Sequence, residues 1–464
     1  MIRRYAGLVA ITLAGLLIRL VSVNRWPLWS DEALTLIIAQ WPLKTLFLVP
    51  IDPTPGLYYA LHKVLLGSSV GVAPARSLSV AAGTLLIPAA YFLARQARIP
   101  ALLAASLVAL TFPLIDYSQE ARAYSLLVLL VTLSAGFFLW WARARRPALL
   151  AGCLAFALLA FYTHFAALFW VGPLIVAVLW TGRRQTVPLL LAMAILAVPE
   201  ISRLAHYPQA GFSWLLQATP GQAADTLSRA LLPFRPPAIW ALLVAGLLAW
   251  RIWLHRSALR TWARANPFAA VVLLILLAVP VEVWLFGIVL KPIFMTRTIL
   301  IAVPGFLLAL ALLLKFEDRL VRVAVVGAYA ASLLVTGTMR PREDWRAIAQ
   351  RVSGGTVLVC QLWQAPAMRH ALPDDAKMVV RDGRYLLEIE GRPWSVAYYR
   401  VLTDDTERAR AVQAGQHLNL GLYPVWAVRN GSVATLAPAP ATLAEAIRTC
   451  DSHPADNASK YQAD

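Results

Sequence analysis

Charge is scarce in this chain. Of 464 residues, 14% are Asp, Glu, Lys or Arg and 59% are hydrophobic, whereas a soluble globular protein carries roughly 25% charged residues. A wholly soluble fold is therefore excluded, because so few charges cannot cover a watery surface. Cysteine is scarcer still, with three in the chain, too few for a disulfide scaffold. Neither cysteine nor histidine falls at zinc-ligand spacing. There is no Gly-rich phosphate-cradling loop and no acidic nucleotide-metal motif. Acids are few beside bases, 24 against 42. Residues 1–338 hold 27 Lys and Arg against 10 Asp and Glu, a net of +17, and residues 339–464 hold 15 against 14, a net of +1. The excess lies in short segments between apolar runs, not in a contiguous hydrophilic domain, so nucleic acid is excluded as a partner and membrane lipid is implied.

What is abundant is apolar sequence in blocks near the ~20 residues that cross a bilayer. Runs fall at 6–24, 77–94, 99–115, 123–141, 148–163, 165–181, 186–202, 237–254, 268–290, 298–314 and 320–338. They predict about eleven spanning helices. The first ends in Val21-Ser22-Val23-Asn24-Arg25 with no small-residue cleavage site, so it reads as an uncleaved helix. With a cytoplasmic N-terminus, the short inner segments hold 16 basic residues and the longer outer loops hold 11. That is the positive-inside pattern, and it places the C-terminal part outside, in the periplasm or its equivalent. Of ten acids before residue 339, only Glu317 and Asp318 fall inside. The rest crowd the outer ends and predict a polar cavity opening outward.

Two outer loops stand out, 25–76 and 203–236. In the first, Ala33–Val49 predicts a helix lying in the interface, followed by a rigid Asp52-Pro53-Thr54-Pro55-Gly56 turn and a second helical stretch. The other, rich in Pro, Gly and aromatics, predicts a lid. Residues 339–464 change character. Short β-like runs at Thr356–Cys360, Met378–Arg381, Val396–Val401 and Val425–Val428 alternate with polar or helical stretches, predicting a small α/β domain. The expected fold class is an all-α polytopic membrane protein with a small C-terminal α/β domain. Cys153 lies in an apolar run, whereas Cys360 and Cys450 both fall in the soluble part, where an oxidising compartment would let them pair.

The strongest local signal is Trp29-Ser30-Asp31-Glu32-Ala33, where the chain leaves the first helix. Two adjacent carboxylates there can serve as a base toward something bound at the interface, or simply start the following helix. Arg122, two residues after Glu120, suits a phosphate through its forked donors, but equally an ion pair or a head-group contact. Glu282 lies inside an apolar span near its outer end. His62 and His164 suit a polar cavity lining more than a metal site. Tyr58, Tyr59 and Tyr124 fit either sugar stacking or an interfacial belt.

Several stretches in order resemble the GT-C glycosyltransferases of the family-39-like branch, which includes protein O-mannosyltransferases, lipid A aminoarabinose transferases and lipid A galacturonosyltransferases. They are Trp29-Ser30-Asp31-Glu32; Asp52-Pro53-Thr54-Pro55-Gly56-Leu57-Tyr58-Tyr59 with His62; Tyr117 to Ser125, reading YSQEARAYS; Tyr162-Thr163-His164-Phe165; and Arg342-Glu343-Asp344-Trp345-Arg346. Many relatives read Pro-Pro-Leu-Tyr-Tyr where this chain has Pro55-Gly56-Leu57-Tyr58-Tyr59. The resemblance covers 1–346, and the soluble domain matches loosely. It implies a polyprenyl-phosphate sugar donor, a glycolipid, glycan or protein acceptor, and transfer at the outer face with inversion. Asp31 would be the general base, with Glu32 beside it to position the acceptor. Arg297, with Arg122 and Lys291, would hold the donor phosphate. Asp52, Tyr58, Tyr59, His62, Glu120, Tyr124, His164 and Glu282 would line the cavity. No cofactor is called for, and a divalent metal stays open. The rivals are a transporter or flippase of lipid-linked sugars, expected to show inverted repeats and midplane polar residues, and a non-catalytic assembly protein of the envelope.

Overall fold

The structure, a computed structural model, describes residues 2–21, 23–48, 54–67, 71–181, 186–206, 217–232, 238–290 and 292–336, and beyond them residues 345, 349–350, 356–360, 364–372, 377–382, 385–388, 409–410, 413, 425–429, 432–436, 445 and 448. The membrane part runs α1 (Ile2–Val21), α2 (Ser30–Ile38), α3 (Leu43–Leu48), α4 (Gly56–Leu66), α5 (Val72–Gln96), α6 (Ala101–Leu110), α7 (Phe112–Asp116), α8 (Tyr124–Ala144), α9 (Pro147–Phe161), α10 (Leu168–Trp180), α11 (Val187–Ala205), α12 (Pro220–Leu231), α13 (Ala238–Leu254), α14 (Arg256–Ala265), α15 (Pro267–Val289), α16 (Thr296–Ile299), α17 (Ala302–Leu314) and α18 (Arg319–Thr336).

Each apolar run of the sequence falls on a helix. Among the described residues, α5, α8, α11 and α15 are long and apolar enough to cross a bilayer alone, and α1, α9, α10 and α17 are shorter apolar helices. Two runs divide between helices: 298–314 takes in the end of α16 and all of α17, and 99–115 is the sharper case. Residues 99–115 form a broken span, bent by 67° between α6 and the α7 segment. Pro113 explains the break, because it donates no hydrogen bond and its ring crowds the carbonyl four residues back. At the centre, α5 packs on α8 and α6, and α8 packs on α9, while α15 and α17 form a second pair.

The arginine-rich connections predicted to share a side do meet at one end. Arg143 Nη1 donates to Gln96 Oε1 at 3.0 Å, and Arg145 Nη1 to Thr181 O at 3.3 Å. The Trp262 indole donates to Ala97 O at 3.2 Å, and Glu317 takes Arg251 at 3.2 Å and His255 at 3.0 Å.

At the other end, the expected interfacial helix over 33–49 is two helices, α2 and α3, separated by a turn before Pro42. Nor does α2 lie on lipid. Seven of its nine residues are buried, because α4 flanks it and a helix of the C-terminal domain covers it. That helix, α19 (Ala365–Ala371), links β1 (Thr356–Val359) to β2 (Lys377–Asp382); β3 (Tyr385–Glu388), β4 (Val425–Arg429) and β5 (Ser432–Leu436) complete the sheet. Its order is β3-β2-β1-β4-β5, with β1 parallel to β2 and β4 and an antiparallel partner at each edge. The expected run 396–401 lies outside the described residues. Cys360 is disulfide-bonded and Cys153 is free; the remaining cysteine of the sequence, Cys450, lies outside the described residues.

Candidate functional site

The end opposite the arginine-rich connections gathers most of the candidate residues. It is organised around Glu32, which is fully buried. Both oxygens of its carboxylate take the Arg76 fork at 2.7 Å, and they also accept from the backbone N–H of Ala121 at 2.8 Å and Trp29 at 3.3 Å. Arg76 spends its remaining donors on Val23 O, Trp26 O and Pro27 O, at 2.7, 3.2 and 3.2 Å. One ion pair thus ties the chain leaving α1, the start of α2, the head of α5 and the turn before α8. Arg76 was not singled out by the sequence. An arginine at the head of an apolar span on the less basic side was the available signal.

Asp31 is the neighbour of Glu32 and faces elsewhere. Its side chain is 30% exposed, and its Oδ2 lies 3.6 Å from Arg297 Nη1, whose side chain is 21% exposed. Arg297 stands on the four-residue α16, held by Thr298, whose hydroxyl donates to Ile293 O at 2.6 Å and accepts from Met295 N–H at 3.1 Å. From the second outer loop, α12 packs against α16, and Tyr329 OH fixes its end by donating to Leu231 O at 2.9 Å. Residues 207–216 of that loop lie outside the described residues.

Arg122 lies under this pair with 5% exposure. Its guanidinium donates to Asp31 O at 3.4 Å, Thr35 Oγ1 at 3.3 Å, Tyr59 OH at 3.4 Å and Thr54 Oγ1 at 3.2 Å. Thr35 shares the Asp31 face one helical turn on, and its hydroxyl donates to Asp31 O at 3.0 Å. Tyr117, Tyr124 and Arg122 lie near enough to Arg297 to act on its charge. The cluster has two arginines around one partly exposed carboxylate, so it suits an anion beside a base.

Other candidates are walls of the site rather than surfaces facing it. Tyr58, Tyr59 and Tyr124 are 0%, 2% and 2% exposed, so their rings pack inside the protein. Tyr58 OH pairs with Ser79 Oγ at 2.8 Å, which donates to Arg122 O at 3.0 Å, and burial pushes the phenol pKa up. His164 Nδ1 accepts from Ala166 N–H at 3.1 Å, starting the short turn before α10, and its ring stacks on Phe165. His62 is buried, and desolvation lowers its pKa. Glu120 is 5% exposed, and its carbonyl accepts from Arg122 N–H at 2.8 Å. Glu282 is part-exposed within α15. Asp52 and Lys291 lie outside the described residues, as do Arg342, Glu343, Asp344 and Arg346; Trp345 of that stretch is fully buried.

The departure at Gly56 gains a reason. A Cβ there would lie 2.4 Å from Leu46 O, so α3 can approach the head of α4 only over a glycine.

No protein-family profile and no curated protein matches the sequence. The fold matches that of ArnT from Cupriavidus metallidurans, at TM-score 0.56 and 15% identity over 92% of this chain and 93% of that one. A second structure of the same protein, bound to undecaprenyl phosphate, matches at TM-score 0.55. The Archaeoglobus fulgidus oligosaccharyltransferase matches at TM-score 0.50 and 14% identity, over 91% of this chain and 67% of that one. The chain has the GT-C fold. That oligosaccharyltransferase structure contains zinc. In this GT-C fold, no three His, Cys, Asp or Glu side chains among the described residues gather to hold a metal.

Proposed function

We propose that this chain is a membrane glycosyltransferase that moves a sugar from a polyprenyl-phosphate donor to an acceptor hydroxyl at the outer face. The observation that carries the reading is the pairing of Asp31 and Arg297 at 3.6 Å, both part-exposed, at the end away from the arginine-rich connections. The carboxylate of Asp31 takes the proton of the acceptor hydroxyl. The oxygen attacks the anomeric carbon, and the carbon–oxygen bond to the phosphate breaks, with inversion. The electron pair leaves on the lipid phosphate, whose charge Arg297 receives. A phosphate is already a good leaving group, so a base and a cation suffice.

At 3.6 Å and part-exposed, the pair is long and open to water, so a donor phosphate can displace Asp31 from Arg297 and free the base. Arg122 sets the floor of the pocket, and Glu32 with Arg76 holds α2 in place without touching substrate. The undecaprenyl phosphate in the ArnT structure supports a prenyl donor. The disulfide at Cys360 favours an oxidising compartment for the C-terminal domain, in line with a plasma-membrane protein whose inner loops carry the arginines. The deciding experiment is transfer by purified Asp31→Asn protein. Loss of transfer with unchanged thermal unfolding supports the reading, and near-normal turnover overturns it.

A further inference from the structure

At the arginine-rich end, α14 leaves α13 at 69° and returns the chain to α15. Its sequence, RSALRTWARA, holds no acid. One side is docked: Trp262 is buried against the α5–α6 turn, and Leu259 and Ala263 pack on the core. The other side presents Arg256, Arg260 and Arg264, all exposed. A spacing of four puts them on one face, ~6 Å apart along the axis. The neighbouring acids already have partners. Glu317 holds Arg251 and His255, and Asp318 Oδ1 accepts from Val321 N–H at 3.0 Å. On the last turn of α13, Trp250 and Trp253 are 51% and 58% exposed. Arg251 lies 4.9 Å from the Trp250 ring centre, and Arg256 lies 4.4 Å from that of Trp253.

We propose that α14 is a binding platform for anionic phospholipid, with Arg256, Arg260 and Arg264 holding phosphodiester head groups of the leaflet at this end. The indoles mark the head-group boundary, where tryptophan is favoured, and the arginines stand just beyond it, toward water. An acidic protein segment would match the charge but would leave the exposed indoles unexplained. The consequence reaches the other end of the molecule. α15 starts directly after α14, and the segment carrying Arg297 follows it, so head groups held here set the depth of α15 in the bilayer.

The test uses full-length protein placed in mixed phosphatidylcholine–phosphatidylglycerol discs and re-extracted in detergent, with retained lipid identified by mass spectrometry. Wild type keeps phosphatidylglycerol in preference. The triple variant Arg256→Gln, Arg260→Gln, Arg264→Gln loses that preference by roughly fivefold per arginine, as expected for charges near an anionic surface. The corresponding triple lysine variant retains most of it, and all three proteins elute alike on gel filtration. Unchanged phosphatidylglycerol retention in the glutamine variant overturns the proposal and leaves the face to an acidic protein partner. Equal loss of both lipids, or a lysine variant no better than the glutamine one, also overturns it, because charge would not be what binds. Glycosyl transfer plays no part in the readout, so failure here and failure of the proposed reaction are separable.

Discussion

Asp31 and Glu32 are consecutive acids on the first turn of one helix, and the tertiary structure gives them opposite surroundings. Glu32 is sealed with Arg76 in a bidentate pair at 2.7 Å, with side chains 0% and 6% exposed. Asp31 meets Arg297 at 3.6 Å, with 30% and 21% exposed. A closed pair contributes position, because opening it strands a buried charge. An open pair is exchangeable, and that is what a base and an anion site require. Successive residues on a helix point about 100° apart, so Glu32 faces α5 while Asp31 faces Arg297.

Four measurements test that contrast. Asp31→Asn has the largest expected effect, a loss of about 10²–10⁴-fold in transfer, the usual worth of a general base, with the melting temperature unmoved. Arg76→Leu should do the reverse, costing about 3–5 kcal/mol of stability because Glu32 is left buried and unpaired. Thermal unfolding in detergent reads it, and adding Glu32→Leu should restore part of the loss. If Arg76→Leu unfolds like wild type, the pair does not hold the site together. Arg297→Ala should weaken donor binding by ~10–150-fold, for a lost charge-assisted contact of roughly 1.5–3 kcal/mol. Arg297→Lys should recover part of it, since charge returns without the fork; an unchanged donor titration in the alanine variant would move the phosphate to Arg122.

The smallest effect concerns the wall. Burial lowers the pKa of His62 from its ordinary 6.5. The unfolded chain therefore takes up a proton first as pH falls, and stability declines below pH 6.5, by at most about 1.4 kcal/mol per pH unit. His62→Gln should flatten that limb of a melting curve measured against pH. A limb that persists in the variant assigns the decline to another group.

Much of the fold was legible because the membrane imposes a simple rule. A span must be apolar for its length, so the runs at 77–94, 123–141 and 268–290 coincide with α5, α8 and α15. The α6–α7 break falls beside Pro113, and Trp262 and Leu259 mark a docked face on α14, signals that a rule of apolar length does not weigh. In the soluble domain neither β3 nor β5 is among the expected runs, although Asn430-Gly431 before β5 is a strong hairpin signal. At the site, Asp31 and Arg297 were legible as individual residues. Their partnership was not, because 266 positions of sequence separate them, 297 − 31.

Where the chain is apolar enough to cross a membrane, which connections carry arginine and which acids stand at helix ends can all be read along the chain. These are local properties, fixed by hydration and charge residue by residue. That Arg76 closes over Glu32, that α19 covers α2 and that Tyr58 pairs with Ser79 in the interior follow from packing in three dimensions. Each of those depends on which surfaces far apart in the chain meet, and on what remains exposed to water once they have met.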